Sequence, residues 1–462
     1  MEMKDSIDFG AMNISKLFRK LLIPTVLGMV FSAIFVITDG IFVGKGVGSD
    51  ALAAVNITAP LFMITTGIGL MFGVGASVVA SIHLSHGKQK VAGINITQAL
   101  VFSSLLIFLL SAFCFFLIEP VGRLLGSSDR LLPLVAEYMN WYVPFLVFYL
   151  LLNAGMFFVR LDGAPNYAMW CNAIAAIANI VLDYIFIFIF GWGLMGAAFA
   201  TSIGTMIGGL MTLIYLLCFS RSFRLHPVKL SLKSIRLTLR NIGYMVKLGS
   251  SAFISEASIA CMMFLGNYVF IRHLGEDGVA AFSIVCYFFP IIFMVYNAIA
   301  QSVQPIISYN YGAGQLGRVR QGYRLLIRVC VIYATILWLS CMLIPQIFIR
   351  IFNSDPQLVS TAVPALRIQM GMIFAMGVQN SCQQSFLALG QAKISVFLAL
   401  LRKVILLIPL ALIFPLFMGV NGVFYAQPVA DILAATSTAI CFALFCKKHL
   451  HKQEKFSGRN VR

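Results

Sequence analysis

Four side chains in this sequence have types and spacing that could do chemistry: Asp39, Asn179, Asp183 and Thr201. Asn179 and Asp183 are four apart and so share one face of a helix. They interrupt Cys171 to Phe190, an apolar stretch of the ~20 residues that cross a bilayer. A lone carboxylate at membrane depth costs at least ~2.5 kcal/mol. A chain that keeps one there usually needs it for an ion, a proton or a cationic ligand. Counted at ~1.5 Å per residue from the nearest glycine-rich turns, Asp39, Asp183 and Thr201 all lie ~12–14 Å deep, with Asn179 one turn deeper. Oxygen donors gathered at one level suit a hard cation or a shared proton. Two buried acids so placed can take up and release a proton near neutral pH. Each residue also has a plainer reading. Asp183 could pair with a helix end or an arginine, and Asp39 could be a border residue. Asn179 could bond between helices, and Thr201 could bond its own backbone.

The elements that must position these residues are membrane spans. Of the 462 residues, 60% are hydrophobic and only 11% charged, far below the ~25% of a soluble domain. Apolar segments run at roughly 18–43, 53–82, 94–118, 133–159, 167–190 and 196–219, then at 244–271, 279–308, 321–344, 358–386, 394–414 and 421–446. The fold class read from this is an all-α polytopic membrane protein with twelve transmembrane helices. The first span has no small-residue cleavage site and is expected to stay. Pro24 interrupts its hydrogen bonding and is either a static kink or a hinge.

The net charge of +17 reflects loop placement rather than nucleic-acid binding. One set of alternate loops and the two ends carry Lys4, Lys16, Arg19, Lys20, Lys88, Lys90 and Arg160. The central loop adds Arg221, Arg224, Lys229, Lys233, Arg236, Arg240 and Lys247. The opposite loops hold only Lys45, Arg123, Arg130, Arg272 and Arg350. Positive-inside bias therefore puts both termini in the cytoplasm, with the chain in the cytoplasmic (inner) membrane. The ten cysteines are scattered singly, and His83/His86 and His449/His451 sit at predicted membrane borders, so no disulfide framework, metal site or cofactor is expected.

The two halves read as copies. Gly48 to Ala54 aligns with Gly275 to Ala281, and His86-Gly87-Lys88 with Ala313-Gly314-Gln315. Gly163 aligns with Gly390, Ser128-Asp129 with Ser354-Asp355, and Gly196 to Phe199 with Gly422 to Tyr425. Six spans per copy give both the same orientation, a parallel repeat about an axis along the membrane normal. The domains expected are an amino lobe over 1–225, a basic cytoplasmic linker over 226–243, a carboxy lobe over 244–446 and a basic tail over 447–462. Two such pseudo-symmetric six-helix bundles suit alternating access.

The copies differ in chemistry. Asp39 aligns with Gly266, and the counterpart of Asp183 is near Pro409. The second half has instead Glu256, the amides Gln369, Gln379, Asn380, Gln383 and Gln384, the pair Arg402-Lys403, and Asp431. Glu256 is either a second cation-linked acid or a structural partner of Arg402; Asp431 reads as structural. The 40 Phe and 21 Met supply adaptable apolar surface for varied organic cations, or simply lipid-facing packing.

These residues carry a family likeness. Pro24 with Thr38-Asp39, the run Gly46 to Ala53, Arg160-Leu161-Asp162-Gly163-Ala164-Pro165, Asn179 to Asp183, Arg402 with Ile408-Pro409, and Gln427 to Asp431 resemble the multidrug and toxic compound extrusion (MATE) transporters over nearly the whole chain. Asp39, Asn179, Asp183 and Thr201 look like the amino-lobe cation site of the DinF-like branch, and Asn153 like a polar residue of that lobe's cavity. Glu256 is similar to an acid of the NorM-like branch, although the acid that branch has in span 10 is replaced here by amides. The resemblance implies a transporter, not an enzyme, that exports organic cations and drugs in exchange for H⁺ or Na⁺. Gln379 and Gln383 are the further cavity residues expected. The partners expected are small organic cations and the bilayer, with the chain acting as a monomer. Two other readings are a lipid-linked precursor flippase of related layout and an intramembrane aspartyl protease using Asp39 and Asp183. The flippase would favour a cationic cleft, and the protease lacks the expected GxGD motif.

Overall fold

The structure, a computed structural model, describes residues 7–227, 231–350, 359, 363–364, 366–368, 370–418 and 420–450; across 258–291 it describes the backbone alone. Lys229, Ser354-Asp355, Gln369 and the tail beyond 450 lie outside the described residues. The described chain is helical, without strands. It divides into two compact units, Met1–Glu256 and Ala257–Arg462.

The first unit holds α1 (Ile14–Gly46), α2 (Ser49–Ser85), α3 (Gln89–Phe116), the short α4 (Ile118–Leu124), α5 (Leu132–Tyr142), α6 (Leu146–Leu161), α7 (Pro165–Asp183) and α8 (Gly193–Ile214). Helix α1 starts at Asn13, whose Oδ1 accepts from the N–H groups of Ser15 and Lys16 at 3.0 and 3.4 Å. That satisfies two of the orphan donors of the first turn. The helix then runs unbroken through Pro24, which is buried within it. α1 packs on α7, α7 on α8, α2 on α6, and α6 on α8. The buried residues of α7 include Ala168, Cys171, Asn172, Ala175, Ala176, Asn179 and Asp183, one stripe at helical spacing. Ile174, Ile177, Val181 and Tyr184 face outward instead. Asp183 therefore ends the inward stripe and does not point into lipid.

Helix α9 (Leu232–Gly312) takes in both segments read as spans 7 and 8. It begins inside the stretch 226–243 expected to be a linker, and the first unit extends along it to Glu256. The reason is local packing. The N–H groups of Arg221 and Ser222 donate to the buried Asp162 carboxylate, and His226 N donates to Thr97 Oγ1 at 3.0 Å. Gln98 then bonds Thr238 and Asn241. Further along, Gly249 lies against the Met71 carbonyl.

The second unit continues with α10 (Leu316–Leu343), α11 (Pro345–Arg350), α12 (Ile373–Ala388), α13 (Ala392–Leu400), a π-helical stretch Leu401–Leu407, α14 (Ile408–Met418) and α15 (Val420–Phe445). Among the described residues nine helical stretches are long and apolar enough to cross a membrane. The two crossings inside α9 and the partly described 358–386 segment are the others read from the sequence.

The repeat is visible in the backbone. Gly87 and Gly314 have φ of 70° and 71°, and Gly163 and Gly390 have 87° and 74°. All four close helix ends in the left-handed conformation that glycine adopts without strain. The hydrogen bonds match as well: Lys88 N to His83 O and Gln315 N to Asn310 O are both 2.9 Å.

Candidate functional site

Three helices bring the predicted residues together. Asp39 comes from α1, Asn179 and Asp183 from α7, and Thr201 from α8. Thr201 Oγ1 donates to Asp39 Oδ1 at 3.3 Å and accepts from Asn179 Nδ2 at 3.3 Å. The Asp39 and Asp183 carboxyls lie within hydrogen-bond reach of each other once one carries a proton. Asp183 and Asn179 are 0% exposed, Thr201 1% and Asp39 8%. The close approach of α8 to α7 rests on Gly204, one turn beyond Thr201: a Cβ there would come within 2.8 Å of the Ala175 carbonyl and 3.0 Å of Asn179 Cβ. Immediately after Asp183 the chain turns π-helical over Tyr184–Ile189. Such a turn is frequent at functional sites because it shifts the register of the side chains that follow.

The site has more acceptors than donors. Both carboxylate oxygens of Asp183 and Oδ1 of Asn179 are buried with no hydrogen-bond partner in the protein. Ionised carboxyls only accept, so two of them facing each other cannot satisfy one another. A proton shared between Asp39 and Asp183 would satisfy them, as would a small cation. The oxygens of Asp39, Asn179, Asp183 and Thr201 are the hard donors such a cation takes.

Sequence reading missed the aromatic side of this site. Tyr138 and Tyr142 on α5 are fully buried, and their hydroxyls also have no partner in the protein. Tyr138 lies close enough to interact with both acids and Thr201. The Tyr138 and Tyr142 rings are 5.9 Å apart; Phe62 stacks on Tyr142 at 4.0 Å and meets Tyr149 edge-on at 5.7 Å. Tyr149 bonds Thr66 at 3.0 Å, and its backbone carbonyl accepts from Asn153 Nδ2 at 2.9 Å. The half-buried Glu256 interacts with Tyr149. The readable signal was the spacing of Tyr138, Tyr142 and Tyr149, four and then seven residues, which keeps them on one helical face.

The second unit holds other chemistry. Arg402 Nε meets Asp431 Oδ1 at 2.8 Å with both side chains buried, and Gln427 Nε2 donates to both Asp431 oxygens at 3.1 Å. This is a satisfied structural cluster, and Arg402 sits in the π-helical stretch Leu401–Leu407. Gln379 Nε2 donates to Gln383 Oε1 at 2.9 Å along α12, where Asn380 Nδ2 is buried without a partner. Asp39 and Asp183 have no such cationic neighbour among the described residues.

The MatE family model matches this chain twice, at residues 24–185 and 251–413. The chain belongs to the MatE family. The two matches begin as far apart as Gly48 and Gly275, so they coincide with the internal repeat. An FAD transporter of Shewanella oneidensis is 26% identical over 93% of this chain and 95% of its own length. The multidrug export protein MepA of Staphylococcus saprophyticus is 24% identical over 98% of each. Among solved structures, a MATE transporter in the straight conformation matches with a TM-score of 0.86 at 22% identity, over 96% of this chain and 98% of that one. The MatE protein is thus an all-helical, multi-pass membrane transporter with the family's two-lobe fold, and not an enzyme. The protease reading of Asp39 and Asp183 is set aside.

Proposed function

We propose that this transporter exports organic cations and drugs across the cytoplasmic membrane by alternating access, in exchange for H⁺ or Na⁺. The observation that supports this best is the cluster of Asp39, Asn179, Asp183 and Thr201, in which both Asp183 oxygens are buried without a hydrogen-bond partner and Asp39 accepts only from Thr201 among the described residues. A positive partner neutralises the cluster from the outside; drug release follows, and reopening inward lets the ion leave. Ion and drug need only bias the two conformations oppositely. Glu256 is the second acid of this scheme, and Pro24 is its candidate hinge in α1. Asn153, Gln379 and Gln383 contribute polar groups to the drug cavity. Both termini are cytoplasmic, and one copy suffices.

The test is uptake and efflux of a fluorescent organic cation in proteoliposomes, with a pH gradient and a Na⁺ gradient imposed separately. One gradient should drive transport, and Asp39→Asn and Asp183→Asn should each abolish that dependence. Gradient-driven transport undiminished in both variants would refute the reading.

The FAD transporter relative supports a second reading, export of an anionic nucleotide. Offering FAD and the fluorescent cation to the same proteoliposomes separates the two. The amino lobe's paired acids favour the cation.

A further inference from the structure

The first sixteen residues of α9, 232–247, have two faces of opposite character. One is fastened to the first unit: Gln98 donates to Thr238 Oγ1 at 2.8 Å and accepts from Asn241 at 3.2 Å, and Ile242 and Met245 are buried. The other face is open and mixes two kinds of side chain. Leu232 is 88% exposed and Leu239 58%, with Ile235, Leu237 and Tyr244 also exposed. Beside them stand the exposed Arg236, Arg240 and Lys247.

The positive charge on this face is uncompensated. From Tyr184 to Ser255 the sequence has no Asp or Glu. Arg236, Arg240 and Lys247 take no part in any ion pair among the described residues. Exposed Lys88 and Lys90 flank the start of α3, the helix whose Gln98 holds this segment. The segment is also a fixed platform and not a loose tail, because Gln98 bonds Thr238 and Asn241 within it.

Neither water nor the bilayer core suits this face. Leucines this exposed are unfavourable in water, and unpaired arginines are unfavourable in hydrocarbon. The bilayer interface accommodates both, with apolar side chains at the acyl boundary and basic groups on phosphates. We propose that residues 232–247 form a docking site for anionic phospholipid headgroups, with Arg236 and Arg240 on the phosphate and Leu232 and Leu239 against the acyl chains. The lack of any acid in this region selects anionic over zwitterionic lipid.

The experiment uses the full-length purified protein. Phosphatidylglycerol and phosphatidylcholine compete for it in detergent, and bound lipid is counted by native mass spectrometry. The wild type should prefer phosphatidylglycerol, and the preference should fall as salt rises. Arg236→Gln/Arg240→Gln should cut the preference by about 10–30-fold, and Arg236→Lys/Arg240→Lys should retain most of it. Leu239→Ser should weaken both lipids alike. Glycerol phosphate at the same concentration should not displace the lipid. The proposal is overturned if the wild type shows no salt-sensitive preference, if the double glutamine variant keeps it, or if glycerol phosphate competes as well as the lipid and so marks a site for free anions. The salt dependence needs only the wild type, so the test stands even where a variant fails to fold.

Discussion

At the scale of single residues, the acid pair is held by geometry that leaves charge unsatisfied. Thr201 bridges Asp39 and Asn179 with two 3.3 Å bonds, while both Asp183 oxygens are buried without a well-formed hydrogen bond among the described residues. Removing the bridge should hurt less than removing an acid. Thr201→Ala loses two hydrogen bonds of about 0.5–1.5 kcal/mol each, so coupled transport should fall by roughly 5–150-fold, where Asp183→Asn abolishes it. Initial rates in proteoliposomes at matched protein content check this, and equal losses in the two variants would contradict it. Tyr138→Phe keeps the ring and removes one hydroxyl beside the acids. It should lower coupling while leaving the thermal unfolding midpoint within a degree or so, because a buried hydroxyl without a protein partner contributes little to stability.

At the scale of elements, small residues and buried pairs set the spacing. Gly204 admits the Ala175 carbonyl, and Gly204→Val should force α8 from α7 at a cost of about 1–3 kcal/mol. A lower unfolding midpoint together with lost transport is expected; an unchanged midpoint would show that the helices yield. In the second unit, Asp431→Asn strands the buried Arg402 and should destabilise by about 3–5 kcal/mol, whereas Arg402→Met with Asp431→Leu should restore most of it. Denaturation of purified protein distinguishes the cases. Much of this scale was legible beforehand. Counting turns from the glycine loops put Asp39, Asp183 and Thr201 at one depth, and the structure joins them. Gly87 with Gly314 and Gly163 with Gly390 aligned in sequence, and they share a backbone conformation because only glycine takes it freely. The tyrosines of α5 and α6 were legible only as a shared helical face, because an aromatic in an apolar span looks the same whether it faces lipid or an acid. The packing of the start of α9 on the first unit was hidden too. A basic loop reads as a linker until Asp162, Thr97 and Gln98 are seen to bind it.

At the scale of the whole molecule, one helical plan is used twice with unequal chemistry. Each copy places polar groups beside a π-helical stretch, Tyr184–Ile189 in the first and Leu401–Leu407 in the second. In the first copy the acids have no counter-charge among the described residues; in the second, Asp431 already has Arg402 and Gln427. The proposed coupling cation would therefore have a reason to visit the first unit and little reason to visit the Asp431 cluster. Asp431→Asn, where it folds, should leave the ion dependence of transport intact while lowering the amount of active protein.

The most direct measurement reverses the usual direction. Proteoliposomes are prepared with no ion gradient, an organic-cation gradient alone is imposed, and the internal pH and Na⁺ are followed with fluorescent indicators. If Asp39 and Asp183 hold the coupled ion, the drug gradient will move H⁺ or Na⁺ the opposite way in the wild type and will move neither in Asp39→Asn/Asp183→Asn. Ion movement of wild-type size in that double variant would contradict the account.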